Sequence, residues 1–248
     1  MEFLLVITLP AAALWAGIAT VRSNVFTLSA LFLVATSVFT AEFFSLQAGG
    51  LTWTIDRLAF LLLIGCFLIG LRQGKHHVWT LDTVDFLIGA FLVWLAARTL
   101  SQPLGSIAPH QPHTLMHMIN GYCIPLALYA VLRTSNPDPR RMKTALWIIA
   151  VFGVYLGITA MLEVGKLWSL VYPKFISDPS LGIHFGRARG PMLQSVRLGV
   201  CLIASWTVVV LFTVWLNPRS RVGWLIALAS LPIFWGSIFL TYTRSIWL

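Results

Sequence analysis

The chain has 248 residues, of which 58% are hydrophobic and only 10% are charged. Its mean hydropathy of +0.84 leaves too few polar residues to cover a soluble core, which excludes a water-soluble globular protein. The formal net charge of +9 is spread through short connections between apolar runs. We therefore expect membrane lipids, and no nucleic acid, as partners of these cations.

Eight apolar runs reach or approach the roughly 20 residues that a helix needs to cross a bilayer. They predict an all-α, polytopic integral membrane protein with about eight transmembrane helices. Residues 1–248 are expected to form a single transmembrane domain. In chain order, the predicted runs are 3–21, 25–41, 53–71, 84–101, 115–132, 143–162, 197–216 and 222–243.

The connection of residues 163–197, before the seventh run, is longer than the others and partly apolar. Its segment from Leu167 to Pro173 is aromatic and apolar and is flanked by Lys166 and Lys174. This pattern is typical of a segment in the membrane interface. Most Lys and Arg of the short connections fall on the opposite side of an alternating topology, so the positive-inside rule predicts that this loop faces outward.

Three arginines lie close together at the end of this loop. Arg187, Arg189 and Arg197 occur in a glycine-containing stretch that leads directly into the seventh run. Arginine keeps its charge and presents a planar fork of donors that suits phosphate oxygens. The stretch therefore predicts a site for an anionic ligand, the diphosphate of a lipid-linked substrate. Arg244, at the end of the eighth run, is expected on the same face because two spanning runs lie between them.

Two of these segments resemble the O-antigen ligase and O-antigen polymerase family of bacterial polysaccharide assembly. The segments are Arg-Ala-Arg-Gly-Pro at 187–191, before a spanning run, and Thr-Tyr-Thr-Arg-Ser at 241–245, closing the next run. Family members commonly carry an Arg-x-x-Gly-Pro-Phe type segment and a Thr-x-Ser-Arg-Gly-like segment one helical hairpin apart. This chain departs from the pattern, since Met192 follows Gly-Pro and Ser245 follows the second arginine.

The resemblance implies a multi-pass protein of the bacterial inner membrane that acts in lipopolysaccharide or other surface polysaccharide biosynthesis. A glycan is transferred from undecaprenyl diphosphate to lipid A core or to another glycan, without metal or cofactor. Arg244 is the expected catalytic residue, which stabilises the departing diphosphate. The expected diphosphate-binding residues are Arg187, Arg189, Arg244 and Arg197. The alternative for each is a plain contact with lipid headgroups.

Family members continue beyond this point into further spanning helices and an outward loop with a catalytic histidine. We therefore expect the chain to be the N-terminal portion of such a protein, with the catalytic base beyond Leu248. Two other readings stay open. One is a non-catalytic fragment, and the other is a transporter of lipid-linked oligosaccharide or polysaccharide, in which charges would line a path through the membrane.

The remaining polar candidates have weaker patterns. Three histidines on one outward connection make a metal site conceivable, but no carboxylate or cysteine accompanies them, and interfacial polar residues are the preferred interpretation. Glu163 and Glu42, near outward helix ends, are expected to pair with basic residues. The three cysteines lack metal-ligand spacing and are expected to be small core residues. The histidines are His110, His113 and His117, with His184 as a candidate base, and the cysteines are Cys66, Cys123 and Cys201.

Overall fold

The computed structural model describes residues 25–40, 43–48, 51–74, 81–102, 114–135, 138–215, 221–243 and 246. This part of the chain is predominantly helical, which confirms the all-α class. The helices are α1 (Val25–Val38), α2 (Ile55–Arg72), α3 (Thr83–Leu100), α4 (Thr114–Met118), α5 (Ile124–Thr134), α6 (Pro139–Val164), α7 (Ser195–Val210) and α8 (Arg221–Leu240).

Shorter elements connect or extend these helices. An antiparallel hairpin of β1 (Ser45–Ala48) and β2 (Leu51–Thr54) precedes α2, and the apolar pattern did not predict it. A π-helical turn, Ile119–Cys123, joins α4 to α5, and a second, Leu211–Trp215, extends α7. Two 3₁₀ turns, Lys174–Ser177 and Gly190–Met192, lie between α6 and α7.

Four helices in the described part are long and apolar enough to cross a membrane. They are α3, α6, α7 with its extension to Val214, and α8. Helix α1 has only 14 residues, and at about 1.5 Å per residue it is shorter than a hydrocarbon core of about 30 Å. Helix α2 has three charged residues at its ends, Asp56, Arg57 and Arg72, so its uncharged segment is shorter than the helix. The predicted run 3–21 lies outside the described residues.

The contacts within the chain divide it into two compact units. The single transmembrane domain expected from the apolar pattern stays a prediction. The first unit comprises residues 1–29 and 62–138, and the second comprises residues 30–61 and 139–248. The boundary passes through α1 and α2. Each unit has its own helix contacts: α3 contacts α4 in the first, and α6, α7 and α8 contact one another in the second.

Small residues allow the three long helices of the second unit to approach closely. A Cβ atom on Gly153 of α6 would lie 2.3 Å from the Ser205 Cβ atom of α7 and 2.7 Å from Phe234 of α8. One turn later, the Gly157 carbonyl accepts a hydrogen bond of 2.9 Å from the Ser237 hydroxyl. Small residues four apart and interhelical hydroxyl bonds are the usual means of helix association in a membrane. This contact fixes the ends of α6, α7 and α8 that carry the site described next.

Candidate functional site

Residues 165–194 join α6 to α7 and contain the first two predicted arginines, so we call them the arginine loop. The loop is held together by its own side chains. Lys174 Nζ donates to the carbonyls of Trp168, at 3.2 Å, and Ser169, at 2.7 Å. Trp168 stacks on Phe185 with ring centroids 5.7 Å apart, which joins the first half of the loop to the second.

A left-handed turn closes the loop against its own end. Gly182 has a φ of +70°, and a Cβ atom there would lie 2.5 Å from the Leu193 carbonyl oxygen. The Ile183 amide donates to that same oxygen at 3.2 Å. Glycine is required here because the backbone is left-handed and leaves no room for a side chain. The turn places residues 187–191 between Gly182 and the start of α7.

Arg189 and Glu163 form a buried ion pair at the centre of the loop. Glu163 is 3% exposed and Arg189 is 0% exposed. One carboxylate oxygen, Oε2, accepts from the amides of Arg189, at 2.8 Å, and Gly190, at 2.9 Å. The other, Oε1, accepts from Arg189 Nε at 3.3 Å. The prediction that Glu163 pairs with a basic residue is confirmed, and the partner is Arg189.

The rest of the Arg189 guanidinium binds loop carbonyls. Nη1 donates to Leu181, and Nη2 donates to Ile176, at 2.9 Å, and Asp178, at 3.4 Å. The Arg189 Cζ atom lies 4.7 Å from the centroid of the Phe185 ring. Four of the five guanidinium N–H groups thus have partners within the protein. The buried position gives Arg189 a role in holding the loop. Its predicted contact with a diphosphate stays a prediction.

Arg187 has a different environment from its neighbour two residues away. It is half-buried, and its Nη1 atom donates to the carbonyl of Tyr242, at 3.4 Å, just after α8. The amide of Ala188 donates to the carbonyl of Leu240 at 3.0 Å. The segments 187–191 and 241–243, far apart in the sequence, therefore lie side by side. Arg244 lies outside the described residues.

Arg197 is the third residue of α7 and lies on another face of the unit. It is exposed and lines a pocket of about 310 Å³ with residues from the end of α1. Within the described chain it has no hydrogen-bond or ion-pair partner. Among the predicted arginines that the structure describes, Arg187 and Arg197 thus have guanidinium groups accessible to a ligand.

Asp178 carries a charge at the outer part of the loop. Its side chain accepts hydrogen bonds from the Ser180 hydroxyl, at 2.7 Å, and the Ser180 amide, at 2.8 Å. These bonds hold the pKa of Asp178 below its usual value, because they stabilise the ionised form. The carboxylate therefore stays charged at neutral pH.

A polar cluster in the first unit was not predicted as a site. Asp82 caps α3 by accepting from the Asp85 amide at 3.0 Å, and the Asp85 side chain accepts from the Asp82 amide in return. Asp85 also accepts from the Tyr129 hydroxyl at 3.1 Å and lies 3.2 Å from Arg133. The Asp-x-x-Asp spacing before an apolar run was a detectable capping signal. The pairing with Arg133 needed the tertiary structure, which joins α3 to α5 here.

The histidines do not assemble into a site within the described chain. His184 is exposed and has a positive φ of 61°. His110 and His113 lie outside the described residues, and the side chain of His117 does as well. No group of three His, Cys, Asp or Glu residues in the described ranges is placed to hold a metal ion. The described cysteines are free thiols and half-buried.

Comparison with known proteins gives no match to this chain. No family model, no curated protein and no solved structure is significantly similar to it.

Proposed function

We propose that the chain is part of an O-antigen ligase-like glycosyltransferase of the bacterial inner membrane. In this proposal it crosses the membrane about eight times, and the arginine loop faces the periplasm. The substrate is a glycan on undecaprenyl diphosphate, and the acceptor is lipid A core or another glycan. The membrane location rests on the four long apolar helices.

One observation carries the proposal, namely the contact between the two segments that resemble the family. The Ala188 amide donates to Leu240 at 3.0 Å, and Arg187 reaches the Tyr242 carbonyl at 3.4 Å. Arg244 follows Tyr242 by two residues in the chain. In this proposal Arg187 and Arg244 bind one anionic group, which the contact of residues 187–188 with Leu240 and Tyr242 supports.

The proposed chemistry follows from the hydrogen-bond donors that are not already bonded within the protein. A departing diphosphate gains negative charge, and preorganised guanidinium groups stabilise that charge without a metal ion. Arg187 is half-exposed and supplies such a group, and Arg244 is its proposed catalytic companion. Glu163 and Arg189 act as positioning residues, because Glu163 holds the Arg189 side chain and the two backbone amides that directly follow Ala188.

The exposed apolar side chains of the arginine loop support its location in the membrane interface. Leu167, Leu170 and Phe185 are 50%, 66% and 44% exposed. Lys166 and Arg187 lie beside them in the sequence. Apolar groups next to cations suit a surface of lipid headgroups, where a lipid-linked diphosphate is also found.

The test is binding and transfer by the purified protein in nanodiscs. Undecaprenyl diphosphate carrying a fluorescent glycan is titrated against the parent and against Arg187→Lys. A lysine cannot form the bidentate contact, so we expect a loss of affinity of about tenfold. The matched control is Arg221→Lys, which changes an exposed arginine at the far end of α8.

Each result bears on one reading of the protein. Unchanged binding by Arg187→Lys and by Arg187→Ala would contradict the proposed diphosphate contact. Transfer of the glycan to an acceptor supports the transferase. Binding without transfer favours a non-catalytic fragment, and movement of the lipid across a proteoliposome membrane without transfer favours a transporter.

A further inference from the structure

The pocket that Arg197 lines, which we call the Arg197 pocket, is separate from the contact between Arg187 and Tyr242. Its lining residues come from the end of α1 and just beyond it, from α7 and from Met192 of the arginine loop. Arg197 sits in the first turn of α7, whose N-cap residue, Gln194, makes no side-chain capping bond. The positive end of the helix dipole repels a cation at this position and attracts an anion. No carboxylate in the described chain pairs with Arg197. An anion supplied from outside the chain would therefore gain from both the guanidinium and the helix end.

Residues with hydroxyl side chains also line this pocket. Thr36, Ser37 and Thr40, from the last turn of α1 and just beyond it, border the same volume of about 310 Å³ as Arg197. The Thr36 hydroxyl donates to the Leu33 carbonyl at 3.0 Å. The Thr40 hydroxyl oxygen is buried and has no hydrogen-bond partner among the described residues. A buried, unpaired hydroxyl is costly and is normally satisfied by a ligand or water.

The remaining wall of the pocket is apolar. Val196 and Val200, on the same side of α7 as Arg197, are 39% and 54% exposed. They continue along a helix that is apolar enough to cross a membrane. The pocket thus combines a cation and hydroxyl-bearing side chains with an apolar surface that continues along α7, which matches the headgroup and chain of a lipid.

We propose that the Arg197 pocket binds the phosphate group of a membrane phospholipid, with an acyl chain lying along Val196 and Val200. Guanidinium and hydroxyl groups donate to the phosphate oxygens, and a rotation of the Thr40 side chain brings its buried, unpaired hydroxyl to one of them. This site goes beyond the proposed glycan transfer and does not depend on it. The two sites differ in the arginine that each uses, Arg197 here and Arg187 there.

A thiol inside the pocket provides a direct readout. Cys201 lines it one turn after Arg197. Replacing Cys66 and Cys123 with alanine leaves Cys201 as the single thiol. The rate of maleimide labelling of Cys201 is measured in detergent with dioleoylphosphatidate, with dioleoylglycerol, or with inorganic phosphate. Only the phosphate-bearing lipid is expected to slow the labelling.

Variants then separate this pocket from other cationic surfaces. Arg197→Gln is expected to weaken protection by dioleoylphosphatidate by about tenfold or more in lipid concentration, since it removes a charged donor. Thr40→Val, which keeps the side-chain shape, should also weaken it. Arg221→Gln, the matched control, and Arg187→Gln should leave the protection unchanged. Arg197 is exposed, so its replacement should not impair folding, which gel filtration checks.

Three outcomes would overturn the proposal. Equal protection by dioleoylglycerol would make the pocket an apolar site only. Equal protection by inorganic phosphate would show a free-phosphate site without a lipid. Full protection in the Arg197→Gln variant would place the lipid elsewhere. Loss of protection in Arg197→Gln but not in Arg187→Gln supports this site even if the chain binds no lipid-linked glycan.

Discussion

Glutamine at position 163 keeps the shape of the glutamate side chain but removes its charge. We expect this substitution to open the arginine loop. The glutamine oxygen can take the place of Oε2 and keep the bonds from the amides of Arg189 and Gly190, which are 2.8 and 2.9 Å long. Its NH₂ group then replaces Oε1 and faces Arg189 Nε, donor against donor. The buried guanidinium, 0% exposed, loses the carboxylate with which it forms an ion pair.

The size of this effect follows from the burial of the pair. Removing one partner of a buried ion pair leaves an uncompensated charge and costs about 3–5 kcal/mol. In a chain of this length, 1 kcal/mol shifts the melting temperature by about 2–4 °C. We therefore expect the melting temperature of Glu163→Gln to fall by about 10 °C.

Two measurements check this expectation. Thermal unfolding in detergent gives the melting temperature, and limited trypsin digestion followed by mass spectrometry reports cleavage after Arg189. That bond is protected in the parent because Arg189 is fully buried. Asp178→Asn is the matched control, since it removes a carboxylate of the same loop that bonds its neighbour Ser180. A melting temperature of Glu163→Gln equal to that of the control, with no new cleavage after Arg189, would refute the reasoning.

Two further substitutions test the packing of each unit. Gly153→Ala should destabilise the second unit by about 1–3 kcal/mol, because the new Cβ atom would lie 2.7 Å from Phe234. The control is Gly89→Ala in α3, where no atom lies within 4 Å of the new Cβ atom. This control should be neutral in the same thermal assay. Arg133→Ala should lower the melting temperature of the first unit, since the buried Asp85 side chain loses a cation 3.2 Å away. An unchanged melting temperature would contradict this.

Helices could be predicted from the sequence because the apolar runs have a length and uniformity that only a helix can satisfy in lipid. The predicted run 143–162 lies within α6, Pro139–Val164, and the run 222–243 overlaps α8, Arg221–Leu240. The number of membrane-spanning helices was harder to predict from the sequence, since α1 is short and α2 contains charged residues. The hairpin of β1 and β2 has no signal in hydropathy.

The roles of the arginines show what only the tertiary structure decided. The sequence alone determined that Arg187, Arg189 and Arg197 lie at one end of a spanning helix, and that Glu163 was a candidate ion-pair partner. The three arginines have the same chemistry but differ in burial, since Arg189 is buried, Arg187 is half-buried and Arg197 is exposed. Arg189 meets a carboxylate from α6 and carbonyls from its own loop, whereas Arg187 contacts the end of α8. These partners are distant in the chain, so no local sequence pattern specifies which guanidinium forms its hydrogen bonds within the protein and which remains available for a ligand.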